Sequence, residues 1–170
     1  KTLSKNEKIK FNFKFKKIIK KLSQKIKLKN EIFVHRDFHI SNLMYQKNKI
    51  AIIDSQDALI GNKAYDLASL IDDVRYKTSK SFKQNVYDFY IKTQKGLDKK
   101  KFKNDFEIIS VLRNFKVIGI FTRLAFRDHK RKYLKLIPYS WSLIKIRINE
   151  NKNFKELNDL LKQFFKDKIT

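Results

Sequence analysis

His35-Arg36-Asp37-Phe38-His39-Ile40-Ser41-Asn42, followed by Ile52-Ile53-Asp54-Ser55-Gln56-Asp57, is the stretch that decides the reading of this chain. An apolar, β-prone run, Ile32-Phe33-Val34, leads into it. Between its two parts lie Leu43-Met44-Tyr45, a polar patch Gln46-Lys47-Asn48-Lys49, and a second apolar run Ile50-Ala51-Ile52-Ile53. Two apolar runs around a turn signal predict a β-hairpin. With the turn at Lys47-Asn48, Gln46 faces Lys49, Met44 faces Ala51, and Asn42 falls opposite Ile53. Asn42 and Asp54 then share the open end of the hairpin, twelve positions apart in sequence. An amide oxygen beside a carboxylate suits a hard, oxygen-seeking cation such as Mg²⁺. Asp37 lies on the loop entering that end, where a carboxylate can take the proton of an attacking hydroxyl.

The spacing matches the pattern H-R-D-x-x-x-x-N without a gap. Beyond the pattern, the segment resembles the aminoglycoside phosphotransferase/choline kinase superfamily, whose fold is kinase-like. Within it, the chain is most similar to a bacterial branch, the anomeric N-acetylmuramate/N-acetylglucosamine kinases. The residues that carry this are Val34 to His39 with Asn42-Leu43-Met44, then Asp54 to Ala58 with Gly61, and Tyr65-Asp66-Leu67-Ala68-Ser69-Leu70. Downstream, Arg113-Asn114-Phe115-Lys116, Gly119-Ile120-Phe121 and Arg123-Leu124 extend it. The resemblance implies Asp37 as catalytic base, Asn42 and Asp54 as Mg²⁺ ligands and ATP as phosphoryl donor. It implies that His35 holds the loop together and that Asp66 supports it from the following helix. Arg36, His39, Gln56, Asp57, Arg113 and Asn114 become possible substrate contacts. Asp57 reads equally as a turn cap, and Arg113 and Asn114 as snorkelling or hydrogen-bonded core groups. Ser55 departs from the branch, which has Phe after the metal-binding Asp. The chain also lacks the Asp-Phe-Gly and Ala-Pro-Glu segments of protein kinases, which disfavours a protein substrate.

Composition narrows the class. At 170 residues the chain is one domain's worth, and 42% hydrophobic residues argue against disorder. No apolar run approaches the roughly 18 residues of a membrane span, and no secretory leader pattern appears at the start. The absence of cysteine removes disulfides and thiolate metal sites, and fits a cytoplasmic protein. A net charge of +24 would ordinarily suggest nucleic acid. However, only seven of the 41 basic residues are Arg, and the lysines are spread through nearly every segment. No nucleic-acid partner is therefore expected; the field can still draw in an anionic nucleotide. The 34 residues before His35 contain no glycine, so no phosphate-covering loop can be built from them. The expectation is the C-terminal, large lobe of a kinase-like α+β fold, mainly α with a small β-hairpin. Its N-terminal lobe is then absent, and the lobe alone is inactive.

Along the chain, 1–30 reads as a leading helix, 31–57 as the catalytic loop and metal-binding hairpin, and 65–170 as a helical subdomain. No internal domain boundary is evident. Lys1 to Lys10 reads as frayed, and 11–28 as an amphipathic helix through Phe15, Ile18, Ile19, Leu22 and Ile26. A core role for that helix is favoured over a membrane-surface role. Residues 55–64 read as a loop. Helices are expected over 66–77, with Asp72 and Asp73 solvated, and over 81–95, with Val86, Phe89 and Tyr90 inward and Gly96 at the C-cap. Asn104 to Glu107 has capping-box form, opening a helix to Phe126 in which Gly119 suggests close packing. His129 reads as solvated. A helix over 133–148 divides at Pro138, and Asn153 opens a final helix.

The acceptor stays open: the amino sugars above, an aminoglycoside, choline or another small alcohol. A reading from a different class is a non-enzymatic basic module, whose salt-sensitive nucleic-acid binding would survive Asp37→Ala.

Overall fold

The computed structural model describes residues 3–169; Lys1, Thr2 and Thr170 lie outside the described residues. Helix α1, Lys5–Gln24, starts earlier than the polar composition suggests. Ser4 and Glu7 form a reciprocal capping box, with Glu7 N donating to Ser4 Oγ and Ser4 N to Glu7 Oε2. Its end also comes early, because the N–H groups of Lys27 and Leu28 are taken by the Asp105 carboxylate at 2.9 and 2.8 Å. The apolar face of α1 is covered. Leu22 is buried with Ile108, Val111, Leu157 and Leu161, while Phe11, Phe15, Ile18 and Ile19 pack against that cluster. The core reading of this helix therefore holds.

Strand β1, Ile32–Val34, follows. Strands β2, Leu43–Gln46, and β3, Lys49–Ile52, form the expected hairpin in the expected register, Gln46 opposite Lys49 and Met44 opposite Ala51. Lys47 and Asn48 both adopt positive φ, 48° and 61°, as a two-residue turn matched to strand twist requires. Strand β4, Leu59–Gly61, lies within the segment expected to be a loop and pairs antiparallel with β1. At Gly61 neighbouring side chains leave no room for another: an added Cβ would come within 3.0 Å of Val34 Cγ2. The β1–β4 pair thus ties off the base of the 35–58 loop. Both ribbons expose apolar side chains, among them Phe33, Met44, Tyr45, Ile50 and Ile60.

Helix α2, Ala64–Ile71, stops short of the expected Lys77. Asp73 Oδ1 accepts the N–H of Arg75 at 3.0 Å, a local turn that competes with the helix. Asp72 and Asp73, expected in solvent, are buried. Most of their partners are distant in sequence. Asp72 accepts from Ser110 Oγ and pairs with Lys83 at 3.6 Å and Arg147 at 3.5 Å. Asp73 pairs with Arg75 and accepts the N–H of Ile40.

Helix α3, Lys80–Thr93, is capped by Ser79. Val86, Tyr87 and Tyr90 pack inward, whereas Phe89, expected with them, is 70% exposed. Gly96 follows in a left-handed turn at φ +67°.

Helix α4, Lys99–Phe126, is the axis of the molecule. Its cap is Asp98, whose Oδ1 accepts Lys101 N, not the Asn104 to Glu107 box. Asn104 and Asp105 sit inside the helix and satisfy other segments: Lys25 O, the Lys27 and Leu28 N–H groups, and the Asn62 amide. One side of α4 meets α1, another meets α2 and α3 through Phe102, Phe106 and Ile109, and a third buries Val117 and Phe121. Gly119 makes no close approach; an added Cβ would meet nothing within 4 Å.

A 3₁₀ segment, Arg131–Leu136, precedes helix α5, Ile137–Glu150, with Pro138 in its first turn. His129 is exposed. Asn151, rather than Asn153, caps the turn into the last helix, α6, Lys155–Ile169, by accepting Asn153 N at 2.8 Å. The protein is thus mostly helical with a small amount of antiparallel sheet, in two short ribbons.

Candidate active site

The loop between β1 and β2 is held from below by one carboxylate. Asp66, in the first turn of α2, accepts the main-chain N–H of His35 at 2.7 Å and of Arg36 at 3.0 Å. Arg36 needs this anchor, because it sits at φ +72°, a conformation that a non-glycine residue keeps only when its surroundings impose it. The His35 ring is buried, and its Nε2 lies 3.0 Å from Ile53 O, joining the loop to the end of the hairpin. The Arg36 guanidinium donates to Asp57 O at 3.2 Å and so pins the segment after Asp54.

Asn42 and Asp54 are brought to the same end. Ile53 N donates to Asn42 O at 3.0 Å, extending the ladder by one pair and leaving Asp54 next in line. Asp54 is exposed and also has positive φ, +65°. The Asn42 amide donates to Asp37 O at 2.9 Å, which ties the third residue to the first. His39 N donates to the same carbonyl at 3.0 Å. Among the described residues, the side-chain carboxylates of Asp37 and Asp54 and the Oδ1 of Asn42 take no hydrogen bond or ion pair. Three hard oxygen acceptors are therefore uncommitted, which fits a hydrated divalent cation of the Mg²⁺ kind. No group of three or more His, Cys, Asp or Glu suited to a metal exists among the described residues, so protein ligands alone do not complete such a site.

His39 is buried beside this loop, and its Nδ1 has no partner among the described residues. Burial holds its pKa below the ordinary value. The charges of Arg75 and Arg113 add to this, and Asp73 and Asp37 oppose it.

On the α4 side of Asp37 lies a hollow of about 50 Å³, lined by Arg36, Asp37, Tyr65, Arg75, Arg113 and Lys116 with apolar residues of α4. Of the expected contacts, Arg36 and Arg113 are here. Asn114 is not; it is fully buried and its amide donates to Ser110 O one turn back. Gln56 and Asp57 are exposed on the loop after Asp54. Sequence reasoning missed Arg75 and Lys116, and treated Asp73 as solvated. One available signal for Arg75 was that Arg is scarce in a chain where Lys is the default cation, which makes an Arg a candidate for a site where geometry matters.

The chain is similar in sequence to known phosphotransferases. Residues 4–99 match the phosphotransferase enzyme family. The chain is 31% identical over 115 residues to an N-acetylmuramate/N-acetylglucosamine kinase of Caulobacter vibrioides, covering 65% of this chain and 32% of the relative. It is 36% identical over 116 residues to the protein of the same name from Neisseria meningitidis, covering 64% and 34%. For that of Pseudomonas aeruginosa the figures are 32% identity over 136 residues, covering 76% and 40%. The chain thus spans about a third to two fifths of the length of the curated relatives it matches.

Proposed function

Since this chain belongs to the phosphotransferase enzyme family, we propose that it is the catalytic-loop part of an ATP-dependent sugar kinase. The acceptor is the anomeric hydroxyl of N-acetylmuramate or N-acetylglucosamine, in cell-wall recycling, and the reaction takes place in the cytoplasm. The observation that carries this reading is the loop held by Asp66, which presents Asp37 next to a hairpin end bearing Asn42 and Asp54. The names of the relatives support the sugar as acceptor.

Each residue then has a task. Asp37 accepts the proton of the acceptor hydroxyl as its oxygen bonds to the γ-phosphorus and the bond to the ADP oxygen breaks. Asn42 and Asp54 would hold Mg²⁺, which would neutralise charge on the phosphates. Asp66 and His35 keep the loop in register, and Asn42 doubles as a brace through its bond to Asp37 O.

We assign the described residues to the C-terminal, larger lobe of a kinase-like fold. The residues before the loop supply only α1 and β1, with no glycine. The exposed apolar side chains of both ribbons suit contact with a nucleotide-covering lobe. Among the described residues no helix is long and apolar enough to cross a membrane.

Aminoglycosides and choline would use the same chemistry, but they are cations. The four basic side chains around the hollow beside Asp37 oppose them. The test is to incubate the intact protein with ATP, Mg²⁺ and each acceptor, and to locate the new phosphate by NMR. Phosphate on the anomeric oxygen of an amino sugar supports the reading. Transfer to an aminoglycoside or choline alone would contradict it.

A further inference from the structure

Arg113 is the unusual residue of this molecule. It lies on the helical axis α4 and is only 5% exposed. Its buried Nη1 has no hydrogen-bond partner, and no ion pair reaches its guanidinium among the described residues. A charge held out of water without a partner is strongly unfavourable, so a buried guanidinium normally sits against a carboxylate or phosphate. Burial drives its pKa down, with Asp73, Asp72 and Tyr65 close enough to oppose the shift but not to bond.

The other cations around the same hollow are differently engaged. Arg75 pairs with Asp73 at 3.3 Å, and Arg36 donates to Asp57 O. Lys116, one helical turn from Arg113, is exposed. The lining holds four cations against the single carboxylate of Asp37. A carboxylate group needs little more room than a water molecule, whose share of liquid volume is about 30 Å³. The hollow has that room. Asn42 and Asp54 do not line it, so it is distinct from the side chains assigned to the metal and nucleotide.

We propose that this hollow receives a carboxylate carried by the acceptor, with Arg113 as its partner, so that the site selects acidic over neutral amino sugars. N-acetylmuramate differs from N-acetylglucosamine by a lactyl ether that ends in a carboxylate. The preferred substrate class is therefore the acidic sugar, bound with its hydroxyl at Asp37 and its carboxylate at Arg113. This rests on the reading of Asp37 as the base of a sugar kinase, and it goes further by fixing which sugar is favoured. Planar bidentate pairing suits Arg here better than Lys.

The experiment is calorimetric titration of the intact protein with N-acetylmuramate, its methyl ester and N-acetylglucosamine, for wild type and Arg113→Gln. The expected result is at least tenfold tighter binding of the acid than of the ester or the neutral sugar. In Arg113→Gln the three bind within about twofold of one another, at the neutral sugar's affinity. If that variant does not fold, the ester still removes the charge from the ligand in wild type. Equal binding of acid and ester overturns the proposal, as does a preference that survives in Arg113→Gln. Inorganic phosphate that competes with ATP but not with the acidic sugar, and does so only while Arg113 is present, would assign the hollow to the nucleotide and also overturn it. Equal kcat/KM on both sugars sinks this inference and leaves the kinase reading standing. Transfer to no sugar at all sinks both.

Discussion

Asp66 Oδ1 accepts the N–H of Arg36 at 3.0 Å while Arg36 is held at φ +72°. One carboxylate on α2 thus fixes the backbone of the loop from which Asp37 projects, and its second oxygen takes the N–H of His35. Asp66→Ala removes two charge-assisted bonds and leaves two main-chain donors unmatched. A loss of about 2–6 kcal/mol in stability is expected, from roughly 1–3 kcal/mol for each partly buried donor left unsatisfied. Denaturant melts measure it. A change below about 0.5 kcal/mol would mean that other contacts set the loop.

Asp72 is the counter-charge of two cations, Lys83 and Arg147, inside the helical subdomain. Lys83 also donates to Ile71 O, and Arg147 lies over the Phe106 ring at 4.9 Å. Asp72→Ala leaves the buried Lys83 and the partly buried Arg147 without an acid partner. Breaking a buried pair from one side costs on the order of 3–5 kcal/mol. Thermal melts should show a large fall in Tm, and Lys83→Met combined with Asp72→Ala should recover part of it. An unchanged Tm would mean that solvent reaches the pair.

Gly119 stands in the middle of α4 with open space where a Cβ would go. Its backbone is helical, so alanine fits without strain. Gly119→Ala should stabilise the protein by up to about 1 kcal/mol, the propensity difference in a helix interior. Activity should not change. A destabilised variant would show that the open space is used by something outside the described residues.

Tyr87 packs against Phe102 and Phe106. Burial, with Glu107 and Asp88 adding to it, pushes its phenol up to about 12. The unfolded chain loses that proton near pH 10. Below pH 10 both states are protonated and Tyr87 contributes no pH dependence. Between pH 10 and about 12 the folded state binds more protons than the unfolded one, so stability falls as pH rises. Tyr87→Phe should flatten that part of the stability profile, and phenolate absorbance should show one fewer late-titrating tyrosine. A Tyr87 that titrates at pH 10 in the folded protein would contradict the burial.

The parts of the fold written in local sequence were legible. The hairpin followed from two apolar runs and a polar turn, and its register at Met44 and Ala51 matches. The junction at Pro138 followed from the ring's fit to a first helical turn. Distance in sequence is what hid the rest. Leu59-Ile60-Gly61 is too short to announce a strand, and its partner β1 lies across the whole loop. Asn104 and Asp105 carry the letters of a cap, but they satisfy N–H and C=O groups between Lys25 and Leu28. Asp72 looked solvated because Lys83, Ser110 and Arg147 come from three other helices, and Asp73 because the Ile40 N–H it accepts lies 33 positions away. In the candidate site, Asp37, Asn42 and Asp54 could be named from spacing. The lining of the hollow could not, because Arg75 and Lys116 meet only after α2 and α4 pack.

The central claim is that Asp37 takes a proton during phosphoryl transfer. The most direct measurement compares sugar-dependent ADP release by the intact protein and by Asp37→Asn, at saturating ATP and N-acetylmuramate. Loss of a general base predicts a fall in kcat of about 10²- to 10⁴-fold, with the sugar's affinity little changed. Undiminished turnover in Asp37→Asn would contradict the account.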